Sequence, residues 1–399
     1  MNRRDFLKTT CMATLSAGMG TFTSLAIADI LDLNSRDTAP ARGTPSAKGA
    51  ASQKGYISPR KALFYMPDEA SSLSLVCLLC PWKCSLSSGE SGRCKVRENK
   101  NGELITLAYD NPCAVHIDPI EKNPLFHFLP GIKCLSVATA GCTFKCKYCQ
   151  NWQISQSSPE ETTNLQFTPK KIVSSAIKNK CQAMGYTYTE PTVFFEYMLD
   201  IAIEAKKNGL KNVYHSNGFI NPEPLKKLCL YIDAANIDLK GFTEKYYHEM
   251  SAGRLAPVLE SLKILKKEGV HVEITNTVVP TYNDIVADVE RMCKWIRDEL
   301  GDDVPLHFAR FYPYHKLKNL SPTPTAIMEA MRNTATKIGM KYVYIGNIPG
   351  HSGEHTYCAN CNKLLIRRFG FKILEYFIKD GECIYCGQKI PGKWTDNGS

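Results

Sequence analysis

Three cysteines, Cys142, Cys146 and Cys149, stand in the run Ala140-Gly141-Cys142-Thr143-Phe144-Lys145-Cys146-Lys147-Tyr148-Cys149. This CxxxCxxC spacing offers three thiolates from one short loop. A [4Fe–4S] cluster takes four ligands, so three thiolates with no fourth Cys close behind leave one iron open to a small molecule. The competing reading is a zinc knuckle that borrows its fourth ligand from elsewhere. Zinc loops favour CxxC pairs, which speaks for the cluster.

The chain has seventeen cysteines, and two further groups flank the triad. Cys358-Ala-Asn-Cys361 and Cys383-Ile-Tyr-Cys386-Gly387 are paired CxxC knuckles, the zinc-ribbon or rubredoxin pattern in which each tight turn points two sulfurs at one tetrahedral ion. Structural Zn²⁺ is the expectation there, with rubredoxin-type iron as the rival, since four thiolates accept either. Disulfides become an option only in an oxidising compartment. Cys77, Cys80, Cys84 and Cys94, with Pro81, Gly89 and Gly92 in the intervening turns, make a second four-thiolate set. Zinc is the first reading for it, an auxiliary iron–sulfur cluster the next and thiol exchange the last. Cys11, Cys113, Cys134, Cys181, Cys229 and Cys293 are isolated, mostly in apolar runs, and read as small buried hydrophobes.

The elements that must position the triad alternate. Strand-like runs cover Ile132–Thr139, Gln182–Tyr188, Asn212–His215, Ala234–Leu239, Val270–Val279 and Leu306–Tyr312, with Tyr342–Ile345 as a seventh candidate. Helices are expected from Thr168-Pro169, Pro191, Pro222, Leu255 and Asn283, the second ending near Gly209. Such alternation predicts an α/β fold with a parallel sheet and crossover helices. A partial (βα)₆ TIM-like barrel is the expected form and a doubly wound sheet the alternative. In both, ligands bind at the C-terminal ends of the strands.

Polar residues follow three of these strands: Glu190-Pro191, Ser216-Asn217-Gly218-Phe219 and Asp238-Leu239-Lys240. Taken singly they have ordinary readings. Glu190 suits a helix N-terminus, Gly218 a turn of positive φ, and Asp238 with Lys240 an ion pair at strand spacing.

Together and in this order they resemble radical S-adenosylmethionine (SAM) enzymes, in particular those similar to pyruvate formate-lyase activases. The resemblance implies that the open iron chelates SAM and that an electron from the cluster cleaves it to a 5′-deoxyadenosyl radical. Tyr148, before the third Cys, would lie against the adenine. Glu190 would accept hydrogen bonds from the SAM ammonium, although Thr187-Tyr188-Thr189 replaces the family's glycines before Glu190-Pro191. Asn217-Gly218 resembles the activases' Thr-Asn-Gly turn, and Asp238 and Lys240 would contact ribose and carboxylate. The run Asp118–Gly131, Gln150-Asn151-Trp152 and the terminal Cys pairs further resemble the AmmeMemoRadiSam-system radical SAM proteins, from about Leu75 to Trp394. Asn123 stands where Lys is expected. His127, between Phe126 and Phe128, reads as a packed histidine rather than a catalytic acid. An external low-potential electron donor is implied, and the acceptor of the radical is a glycyl-radical enzyme, a small molecule or a peptide.

At 399 residues and 44% hydrophobic, the chain can bury a large core and smaller modules. Its net charge of +10 is scattered along amphipathic segments, so nucleic-acid binding is not expected. A zinc-stabilised nucleic-acid- or protein-binding factor is the reading from another class, but it leaves the strand-end motifs without a purpose. Asn2-Arg3-Arg4-Asp5-Phe6-Leu7-Lys8, an apolar stretch from Thr9 to Leu25 and Ala26-Ile27-Ala28 match a twin-arginine signal with a cleavage site. That predicts export to the periplasm or membrane surface, the alternative being a cytoplasmic protein with an unprocessed N-terminus. The stretch is too short and too rich in Ser, Thr and Gly for a transmembrane span. The expected plan is a signal at 1–28, a disordered linker at 29–66, a Cys-rich module at 67–131, the core at 132–350 and a zinc-ribbon-like module at 351–399.

Overall fold

The computed structural model describes residues 50–69 and 71–394. The twin-arginine signal and the first part of the linker lie outside them. Among the described residues, no helix is long and apolar enough to cross a membrane.

Eight strands form the central sheet: β1 (Ala114–Pro119), β2 (Lys133–Ala138), β3 (Ala183–Tyr186), β4 (Lys211–Ser216), β5 (Ala234–Asp238), β6 (His271–Val278), β7 (Leu306–Arg310) and β8 (Val343–Gly346). Strands β2 to β8 run parallel and pair in chain order. All seven strand candidates are therefore present. Strand β3 is buried at every position, as expected where crossover helices cover a parallel sheet. The order never reverses, which removes the doubly wound alternative. Right-handed crossovers advancing in one direction keep their helices on one face of the sheet.

Strand β1 departs from the expected plan. It pairs antiparallel with β2, Ala114 opposite Ala138 and Asp118 opposite Cys134, so the sheet begins well before residue 132. His116, Asp118 and Pro119 hid it by breaking the apolar run.

The crossovers are α1 (Pro169–Lys178), α2 (Phe195–Lys207), α3 (Pro222–Cys229), α4 (Ala256–Lys267), α5 (Val286–Glu299) and α6 (Thr325–Lys337). Thr168 caps α1 by accepting from Lys171 N, with Pro169 at the first helical position. Helix α2 is preceded by a 3₁₀ turn, Pro191–Phe194, and Gly209 follows it at φ +75°. Helix α5 starts three residues after the expected Asn283. That side chain instead bridges Lys240 O and Thr277 O at 2.8 Å each and accepts from Val279 N. Helix α6 was not expected, because Ser321-Pro-Thr-Pro324 reads as loop.

The linker ends earlier than its composition suggests. Ser52–Lys54 pairs with Thr163–Leu165, and Arg60–Lys61 pairs with Ile105-Thr106. Backbone pairing to exposed edges orders these residues despite their polar side chains. The Cys-rich segment is built on two small antiparallel sheets, Tyr65–Asp68 with Ser71–Cys77 and Ser85–Leu86, and Arg60–Lys61 with Glu103–Thr106 and Arg97–Lys100.

Thr356–Tyr357, Leu364–Phe369 and Lys372–Tyr376 make a C-terminal sheet, followed by the hairpin Ile378–Lys379 and Glu382–Cys383. This part is sewn to the core. Arg368, fully buried, donates to Phe126 O at 3.1 Å and lies over the Phe126 ring. His127 bonds Pro391 O and Tyr344 Oη at 2.6 Å each, and burial pushes its imidazole down to about 4. It is the packed histidine the sequence suggests. The buried Glu273 carboxylate on β6 accepts from the amides of Phe126 and His127 and meets the rings of His271 and His307.

Candidate functional site

The triad lies in the loop that leaves β2. Gly141 has φ +97°, and a Cβ there would stand 2.6 Å from both Cys94 O and Val96 Cγ1. Glycine is the one residue that meets both demands. Beyond it the loop is pinned to the π-helical turn Tyr247–Ser251 by Lys145 N to Ser251 O at 2.8 Å and Lys147 N to Met250 O at 2.9 Å. Gly253 leaves room for Phe144, whose ring a Cβ would strike at 2.5 Å.

Each sulfur has a polar neighbour. Cys142 Sγ accepts from Phe144 N at 3.4 Å and meets the Asn217 amide, Nδ2 at 3.9 Å. Cys149 Sγ lies 3.3 Å from Ser155 Oγ, and the Ser251 hydroxyl faces Cys146. Burial pushes all three thiols up, Cys149 to about 11, with Glu190 adding to the effect at Cys142 and Lys240 opposing it at Cys146. Left alone, the sulfurs hold protons, and metal must displace them.

The six other predicted residues gather around this loop. Tyr148 is buried, its hydroxyl 3.3 Å from Tyr246 Oη and its ring centroid 6.0 Å from Lys240 Nζ. Asn217 follows β4 and donates to Thr143 Oγ1 at 2.9 Å, linking its turn to the triad. Gly218 has φ +68°, and a Cβ would come within 2.9 Å of Ile237. Lys240 Nζ pairs with Asp238 Oδ2 at 2.9 Å. Burial raises the Asp238 carboxyl, but Lys240 and then His215 outweigh it and hold the group well below the usual range. Burial likewise opposes the Lys240 charge, and Asp238 and Cys146 more than restore it.

Glu190 is fully buried and doubly engaged. Oε1 accepts from Thr192 N at 3.0 Å and Ser216 Oγ at 2.7 Å, and Oε2 accepts from Asn217 N at 2.9 Å. It caps the turn that opens α2, the ordinary reading of its position, and it also fixes the Asn217 turn against the triad. Burial raises its carboxyl and these donors pull it back.

Sequence reasoning missed His215, which lies 3.4 Å from Asp238 Oδ1 through Nε2 and 3.1 Å from Thr187 Oγ1 through Nδ1. Its place depends on the β4–β5 register, His215 opposite Asn236, a diagonal step from Asp238. Asn276 was also missed; it holds Leu239 O at 2.7 Å from the end of β6.

The outer groups differ in spacing. Among the described residues, the one set of three or more candidate ligand atoms drawn within 4.8 Å of one another is Cys358, Cys361, Cys383 and Cys386. Two of its sulfur pairs stand 3.7 and 3.8 Å apart. Four sulfurs ~2.3 Å from one tetrahedral ion would stand ~3.8 Å apart, so the residues fit a single metal. The Gln388 amide and then the Asn360 side chain favour the thiolate of Cys386. The triad sulfurs are wider set, and so are those of Cys77, Cys80, Cys84 and Cys94, which line one recess.

Residues 136–296 match the family model described as Radical SAM superfamily. The uncharacterized protein MJ0808 of Methanocaldococcus jannaschii is 47% identical over 333 residues, 83% of this chain and 98% of the relative. MJ1632 of the same organism, provisionally named a glycyl-radical enzyme activating enzyme, is 24% identical over 216 residues, 52% of this chain and 78% of the relative. Among solved structures, Streptococcus suis SuiB bound to S-adenosylmethionine overlaps 60% of this chain and 56% of its own, with 13% identity and a TM-score of 0.45.

Proposed function

The chain belongs to the radical SAM superfamily, and we propose from this premise that Cys142, Cys146 and Cys149 bind a [4Fe–4S] cluster whose open iron takes SAM. Held by these residues, cluster and SAM would supply hydrogen-atom abstraction, an external donor giving the one electron that cleaves SAM and methionine leaving as the other product.

The observation that carries this reading is the gathering, around one loop that holds three thiolates too widely set for a single ion and Tyr148, of five strand-end residues. The protein's own groups position and shield. Asn217 steadies Cys142 and Thr143, while Tyr148 gives a ring face beside the cationic Lys240. Asp238, kept ionised by Lys240, offers carboxylate oxygens to hydroxyl donors such as a ribose. Glu190 has its two oxygens occupied by three donors, and a carboxylate has about four acceptor sites. One more donor, such as an ammonium, can be accommodated.

The unbroken strand order supports a partial barrel open at these strand ends. Zinc is the ion we assign to the C-terminal four cysteines. The twin-arginine sequence supports export, and reduction requires an external low-potential donor. MJ1632 favours a glycyl-radical protein as the substrate class.

The test is anaerobic loading with iron and sulfide, reduction with SAM present, and chromatography for 5′-deoxyadenosine, with Cys146→Ala as control. Product from the wild type alone is the expected result. A protein that loads a cluster and never cleaves SAM overturns the proposal.

A further inference from the structure

Cys77, Cys80, Cys84 and Cys94 line one recess, walled also by Leu79, Trp82 and Leu86. No three of their sulfurs lie within 4.8 Å of one another, in contrast to the C-terminal four. A single ion would draw its sulfurs to ~3.8 Å. These four enclose a space instead, as ligands of a body several atoms across must.

The local turns are those of metal-binding thiolates. The amide two residues on is directed at the sulfur in Cys77 (Leu79), Cys80 (Trp82) and Cys94 (Val96). The same pattern recurs at Cys142 with Phe144 and at Cys386 with Gln388.

Arg97 supplies the independent sign of an anion. It is 1% exposed, lines the recess, and its Nε and Nη1 have no hydrogen-bond partner among the described residues. Its Nη2 pairs with Glu196 at 3.2 Å. A buried guanidinium with two empty donor positions is costly, and a four-thiolate cluster carries the negative charge that relieves it.

We propose that these four cysteines hold a second [4Fe–4S] cluster, fully ligated by protein and set against the triad. Zinc, the first reading of the sequence, does not fit the spacing. With no open iron the cluster can exchange single electrons but cannot chelate a substrate. Contact with the triad loop is direct: Trp82 Nε1 donates to Thr143 O at 2.9 Å, Thr143 itself lines the recess, and Gly141 abuts Cys94 O.

The test counts acid-labile sulfide, which mononuclear iron and zinc do not contribute, in the full-length chain after anaerobic loading. About eight sulfides are expected in wild type and about four in the Cys142→Ala/Cys146→Ala/Cys149→Ala variant. The dithionite-reduced variant should keep a spin-one-half iron–sulfur signal. Wild type with about four sulfides and the triple variant with none, its zinc count unchanged, overturns the proposal. If the wild type has about four and the variant keeps them, the N-terminal cluster stands and the triad assignment falls. If the triple variant does not fold, a wild-type count of about eight supports the proposal by itself, and a count of about four that survives in Cys80→Ala/Cys84→Ala overturns it. Cys80→Ala/Cys84→Ala should return the wild-type count to about four. In doubly reduced wild type the two signals should broaden one another, and a plain sum of the two would refute their adjacency.

Discussion

Replacing Glu190 by Gln separates the two jobs the site gives it. The carboxylate receives three hydrogen bonds in a fully buried position, two on Oε1 and one on Oε2. Glutamine is the same size and can keep its carbonyl oxygen on Thr192 N and Ser216 Oγ. Its NH₂ then faces the Asn217 amide, donor against donor, where an acceptor stood at 2.9 Å. One charge-assisted bond is lost, at about 1.5–3 kcal/mol, and a buried N–H is left without a partner, at about 1–3 kcal/mol. Relief from burying a charge offsets part of this. A net loss of about 2 kcal/mol follows, read as a lower urea midpoint of the metal-free protein at pH 7. Faster exchange of the Asn217 amide should accompany it. In the loaded protein, weaker SAM affinity is expected as well, because the turn carrying Asn217 loosens against Cys142. A variant as stable as wild type, within about 0.5 kcal/mol, refutes the capping argument. If SAM affinity falls all the same, Glu190 acts as a ligand alone.

Three further outcomes follow from the geometry. Cys361→Ser should abolish stoichiometric zinc measured by mass spectrometry of the purified protein while leaving sulfide unchanged; retained zinc would mean the sulfur cage at Cys358–Cys386 is not its site. Gly141→Ala must pay for φ +97° and a 2.6 Å contact with Cys94 O, so iron content and thermal midpoint should both fall, and a variant with wild-type iron would show that the loop does not need this approach. Glu121, 1% exposed, has its carboxyl pushed up by burial to about 7, with Arg368 only partly offsetting this. Because the folded value lies above the ordinary one of 4.5, the contribution to stability is complete below that pH and is lost as pH rises through about 7, in total about 3 kcal/mol. Glu121→Gln should therefore gain on wild type by about that amount between pH 4.5 and 8 in urea titrations, and parallel pH profiles would contradict it.

The parallel strands were legible because buried crossover units write long apolar runs between proline- and glycine-marked helix ends, as at Thr168-Pro169 and Gly209. Strand β1 and helix α6 were not. The first is an edge strand with polar residues and a terminal proline, and the second hides behind Pro322 and Pro324. At the site, cysteine spacing located the triad because its ligands come from one loop. The partners of Glu190 and Asp238 depend on strand register, which no local pattern encodes. The contrast between the flanking cysteine sets was equally invisible. Both read as four thiolates, and only the distances between sulfurs separate a cage for one ion from a recess for a larger group.

The clasp between residues 126–129 and the C-terminal part bears on synthesis. Residues 126–129 find their partners, Pro391, Lys393 and Arg368, some 240 to 265 residues later in the chain. At about 5–20 residues per second on the ribosome, that is a wait of roughly 10–50 s. Meanwhile Glu273 on β6 gains its two histidine contacts before the Phe126 and His127 amides can be locked from the far side. The nascent core therefore begins to be clasped only when Arg368 has emerged, and a chain truncated before Cys383 keeps that contact with Phe126 but lacks those of Pro391 and Lys393 with His127 and Leu129.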